Sequence, residues 1–141
     1  MKSEEFISIV ENASKWKHDI NYKVKPLFYE VTEDFGGMYV CEPYKTDLLK
    51  AWKFSNKNAS DSSADKIKGM FLSYLKEDDF VGADLAKKFL RAGSERKPID
   101  KECQSCFLER YLEIKENQDY LKLRSQFLLK QKIQRERNER R

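Results

Sequence analysis

Beyond Pro98 the chain contains neither proline nor glycine, so from Lys101 to the last residue nothing in it stops a helix. Unbroken, that stretch would make a rod of about 60 Å at a rise of about 1.5 Å per residue. A break at residues 117–119 is the alternative. Three prolines and five glycines in 141 residues favour helices elsewhere as well. At this length the chain forms one domain with room for a real core.

The apolar spacing fills in the rest. Residues 3–17 predict a helix, with Ser3 as N-cap and Phe6, Ile9, Val10, Ala13 and Trp16 on one side. LFYEV (27–31) and MYVCE (38–42) read as strands, and TEDFGG before the second suits a hairpin loop. Pro43 opens a short helix carrying Tyr44, Leu48, Leu49 and Trp52. SNKNASDSS (55–63) reads as a polar loop that closes on a helix bearing Ile67, Met70, Phe71, Tyr74 and Leu75. Asp79 is a candidate N-cap, Gly93 a helix stop, and Asp100 the start of the next helix. The expected fold is therefore α+β and mainly helical. One β-hairpin packs against several helices, and a long C-terminal helix follows. Residues 1–100 form the globular domain, and 101–141 form a helical extension with a basic end.

The net charge of +4 is unevenly spread. Residues 122–141 carry net +6 and the remainder net −2. This is a near-neutral body with a cationic end, an electrostatic footprint for a polyanion. No apolar run approaches the roughly 18 residues of a membrane span. The N-terminal stretch carries acids and lacks the apolar core of a secretion signal. Three cysteines do not make a disulfide framework, and a reducing cytoplasm is the expected setting.

DFVGADLAKKFLRAGSER, residues 79–96, sets Asp84 among Lys87, Lys88 and Arg91. At 100° per residue these four fall on one arc, opposite a broad apolar arc. Two readings stay open: a solvated face with internal ion pairs, or a phosphate-contacting stripe. Catalysis by Asp84 has no second carboxylate or histidine to support it.

Residues 22–96 also carry a recognisable order of motifs: PLFYEV, GGMYVCEPYK, AWKF, then DFVGADLAKKFLRAGSER. This resembles a family catalogued as domain of unknown function 4385, through Glu42-Pro43-Tyr44-Lys45, Trp52-Lys53-Phe54, the run Asp79 to Leu90, and Arg96. The arginine-rich segment usual after the glycine is shortened here to SERK, and 101–141 looks like an addition. The resemblance implies domain limits and a cytoplasmic location, and it supplies no activity.

Other motifs are weak. Cys103 and Cys106 form a CxxC with no preceding strand, and zinc would have only Cys41 and His18 to add. Gly36-Gly37 reads as turn chemistry, since no phosphate-loop motif is present. Trp52 is either a core anchor or a stacking surface beside Lys53.

The expected function is non-enzymatic association with nucleic acid through backbone contacts. Those contacts would come from Lys87, Lys88, Arg91 and Arg96, and from Lys130, Lys132, Arg135, Arg137, Arg140 and Arg141 in the tail. The alternative is an adaptor or inhibitor that docks its long helix on an acidic protein surface, using Phe127, Leu128, Leu129 and Ile133. A homodimer through that helix is open. No catalytic residue, metal, cofactor or membrane contact is expected. An enzyme would need Glu42, Asp79 and Asp84 to converge in one pocket with Lys45.

Overall fold

The structure, a computed structural model, describes residues 16–97 and 100–140. The expected N-terminal helix at 3–17 and Arg141 therefore lie outside the described residues, apart from Trp16 and Lys17. Among the described residues five α-helices follow an irregular segment: α1 Tyr44–Ala51, α2 Lys57–Lys76, α3 Phe80–Glu95, α4 Lys101–Ile114 and α5 Gln118–Glu139. None is long and apolar enough to cross a membrane.

The hairpin is absent, and the α+β class is corrected to all-helical among the described residues. Pro26–Phe28 forms a single 3-10 turn, and the segment that follows pairs with no strand. Residues 38–42 coil instead of extending, with Val40 N and Cys41 N both donating to Gly37 O at 3.1 and 3.0 Å. Gly37 holds φ +89, where a side chain would be strained. The one bridge nearby is isolated and parallel, between Asn21 and Glu42. The apolar residues that imitated strands are buried one by one: Tyr29, Met38, Val40 and Cys41. Their composition reports burial, and burial without a pairing partner makes no sheet.

Side-chain caps fix the helix starts. Asn56 accepts from Ala59 N at 2.8 Å, Asp79 from Gly82 N at 3.0 Å, Asp100 from Cys103 N at 2.9 Å and Asn117 from Tyr120 N at 3.0 Å. The Asn117 cap marks the break that divides the C-terminal stretch, so the continuous rod does not form. The polar run at 55–63 is largely helix, because Ser63 turns inward, donating to Ala51 O at 2.6 Å and accepting from Lys53 N at 2.9 Å.

α3 lies at the centre, with α2 and α4 packed against it and against each other. Twelve of its sixteen residues are buried, so it has almost no wet face. Gly93 does not end it. The helix continues to Glu95, and Gly93 instead lets Phe107 of α4 approach, since a Cβ there would collide with the Phe107 ring. Arg110 ties α4 to α2 through Asp61 and Asp65 at 2.8 and 3.0 Å. The 101–141 stretch is thus divided. α4 is part of the packed body, and α5 is tied to it at Gln131, whose amide donates to the carbonyls of Leu27 and Tyr29, while Gln134, Arg135 and Asn138 border a groove with Leu27, Phe28 and Glu30. Every residue described beyond Gln131 is exposed.

Candidate functional site

A cleft of about 250 Å³ opens between α3, residues 31–34 and the α4–α5 corner. Its floor is Asp84, only 4% exposed. One carboxylate oxygen accepts from Tyr29 Oη and the other from Tyr120 Oη. Lys88 Nζ stands 3.8 Å away and donates to Gly36 O at 2.7 Å and Thr32 Oγ1 at 3.1 Å. Tyr29 and Tyr120 therefore present their protons to a buried charge. Burial pushes both phenols well up in pKa, and the adjacent Asp84 carboxylate adds to the shift. Burial likewise lowers Lys88, more than Asp84 raises it.

These positions correct the expected wet arc. Lys88 and Asp84, 5% and 4% exposed, face the cleft floor and their own hydrogen-bond partners instead of open solvent. Helical angles had grouped charged residues by direction. Here the segments packed on that direction, around Tyr29 and on α5, cover half of it.

The walls carry three further cations. Lys87 donates to Tyr120 Oη at 3.3 Å and sits 4.6 Å from the centre of its ring. Among the described residues no carboxylate forms an ion pair with it, and burial lowers its pKa more than Asp84 raises it. Arg91 donates to Glu33 O, pairs with Glu95 at 3.3 Å and stacks on Phe35. Arg124, reaching across from α5, pairs with Glu33 at 3.1 Å.

The other candidates disperse. Trp52 is 6% exposed and packs edge-on against Phe54 and Phe89. Arg96 caps it, 5.1 Å from the Trp52 ring and 5.2 Å from Phe54, so no base can stack there without displacing the arginine. Glu42 accepts from Thr46 Oγ1, and Asp79 accepts from Tyr44 Oη at 2.6 Å while capping α3. Neither lines the cleft with Asp84, and nor does Lys45. Cys41, Cys103 and Cys106 are free and buried, and burial pushes the Cys41 thiol up to about 12. Among the described residues no cluster of three or more histidine, cysteine or acidic side chains is placed to hold a metal ion.

The tail keeps its charge. Lys130, Lys132, Arg135, Arg137 and Arg140 are exposed and, among the described residues, form no ion pair; of the described tail bases only Arg124 does. Lys130 shares a shallow groove with Glu77, Asp78 and Asp79, which dampens its field. Of the last four, Arg135 borders a groove with Leu27, Phe28 and Glu30, and all four side chains stay exposed. Leu129 and Ile133 are exposed on the same helix, at 58% and 42%.

Sequence reasoning missed Tyr29 and Tyr120 as partners of Asp84. A usable signal was present: α3 has so few polar positions that a helix of its composition is buried on most sides, and a charge within it needs a partner from elsewhere.

No protein with a curated description matches the chain, and no solved structure does. A family model described as Domain of unknown function (DUF4385) matches residues 12–98. That span encloses α1 to α3, the Asp84–Lys88 pair and the cleft walls at Glu33, Lys87 and Arg91, while Arg124, Tyr120 and the cationic tail fall beyond it. Covering well over half of the sequence and holding its central helix, the match establishes that the chain belongs to the DUF4385 family.

Proposed function

We propose that this protein is a non-enzymatic, cytoplasmic, nucleic-acid-associated protein that holds a phosphate backbone on the projecting end of α5. The observation that carries the reading is the lack of intramolecular ion pairs, among the described residues, for Lys132, Arg135, Arg137 and Arg140, all exposed on the last turns of α5. Their spacing scatters them around the axis, which suits sequence-independent backbone contact better than groove readout. Lys88 and Trp52 leave the interface, and Arg96 serves it only at the cost of its aromatic stack.

The test is salt dependence. With Lys130 and Arg141 included, about five or six phosphates would be neutralised, giving a slope of log K against log salt near −5 on duplex DNA. Removing residues 132–141 should take away most of that slope while leaving the circular dichroism spectrum of the body unchanged, because Tyr120, Phe127 and Gln131 remain. A binding signal that does not respond to salt, or to the deletion, would sink the reading. Leu129 and Ile133 favour a second reading, in which the same helix docks on an acidic protein. Pull-down with the full chain after nuclease treatment separates the two, since only a protein partner survives that step.

A further inference from the structure

The cleft beside α3 holds cationic charge that its own acids do not answer. Asp84 is engaged by two tyrosines and Lys88. Asp34 Oδ1 accepts from Gly36 N at 2.8 Å. The Glu33 side chain, 89% exposed, meets Arg124 only at the rim. That leaves Lys87, half-buried, with a phenol oxygen as its one hydrogen-bond acceptor among the described residues. Arg91, also paired with Glu95 one turn along its own helix, and Arg124 flank it from two helices, and both line the same cavity.

We propose that this cleft binds a phosphate monoester, with Lys87 as its principal cation and Arg91 and Arg124 as the flanking forks. Three cations from two helices suit a dianion with three terminal oxygens. Guanidinium forks match phosphate oxygens in pairs, and an ammonium meets them as a point charge. The volume sets the size class. About 250 Å³ is below the roughly 300–1,000 Å³ of drug-sized ligand sites, so the cleft takes a phosphate and what is directly attached to it, not a whole dinucleotide. A phosphate also supplies the ion-pair partner that the half-buried amine of Lys87 lacks among the described residues. Such a group comes from two sources: a free phosphate ester, or the terminal phosphate of a strand lying on α5. The inference does not need the tail to bind nucleic acid, because the first source fills the cleft without it.

Titration calorimetry on the full chain with inorganic phosphate tests the site, and paired oligonucleotides of one sequence, with a 5′-phosphate or a 5′-hydroxyl, identify the source. Inorganic phosphate should bind, and Lys87→Gln should weaken it about tenfold or more, as the loss of one charge-assisted hydrogen bond implies. Arg124→Gln, on the half-exposed α5 side, should weaken it too, and serves if Lys87→Gln does not fold. A preference for the phosphorylated strand that disappears in Lys87→Gln assigns the strand end. Phosphate binding without that preference assigns a free ester. No phosphate binding together with no end preference, or affinities unchanged in both variants, overturns the proposal. Failure of the tail reading looks different: the salt slope is then absent or survives deletion of 132–141, whatever phosphate does.

Discussion

Asp84→Ala should destabilise the fold by about 3–5 kcal/mol, the usual cost of breaking a buried ion pair from one side. The variant leaves the Lys88 ammonium buried beside Gly36 O, Thr32 Oγ1 and the rings of Tyr29 and Trp16 without its Asp84 partner, and strips the acceptor from the hydroxyls of Tyr29 and Tyr120. Total stability for a domain is about 5–15 kcal/mol, so a large share would go. In urea the midpoint should fall with the slope m unchanged. A loss under about 1 kcal/mol would mean that Asp84 is solvated in solution and the network does not form. Asp84→Leu combined with Lys88→Met should recover much of the loss, because it removes both charges at once.

The same network sets an alkaline limit. Tyr29 and Tyr120 have folded pKa values above their unfolded value near 10. Below pH 10 both states keep the protons, and the stabilisation is fully present. Above it the unfolded chain releases them first, so stability falls by up to about 1.4 kcal/mol per pH unit for each tyrosine. Lys87 and Lys88, both lowered, act in the opposite sense between their folded values and 10.5. The fall is therefore expected above pH 10, and Tyr29→Phe should lessen it.

Phe107→Ala carries the second large effect, about 3–5 kcal/mol. Its ring is fully buried and seated on Gly93, and α4 packs against α2 as well as α3. Gly93→Ala should also destabilise, by about 1–3 kcal/mol, although alanine is the better helix former by about 1 kcal/mol. The decisive comparison is the double variant. With Phe107 already alanine, the added methyl at Gly93 meets open space, and its penalty should disappear or reverse. Additive losses, measured by denaturant unfolding, would show that the two residues are not in contact. The pair also divides the C-terminal region by consequence: changes in α4 damage the body, and removal of 132–141 does not.

Local chemistry made much of this fold readable. Asp79 and Asp100 cap helices where their side chains said they would, and the apolar spacing of α2 and α3 marks the core. The hairpin was misread because buried aromatic and β-branched residues look alike whether a neighbouring strand or a helix covers them. Asp84 and Lys88 were misplaced for a related reason. Their partners lie 55 and 36 residues away for the tyrosines and 52 for Gly36 O, and periodicity within one helix carries no information at that range. The charge of the tail was legible because none of the described residues buries it.

The amide of Gln131, held by two backbone carbonyls, anchors α5 before its exposed last turns. Helix nucleation is costly and extension is cheap, so the packed turns before Gln131 supply the nucleus and the last turns simply continue it. A limp basic tail would surrender about 1–2 kcal/mol of backbone freedom for each residue it ordered on a ligand. This one has already been stiffened by its root, and its charges arrive as a pre-set cantilever.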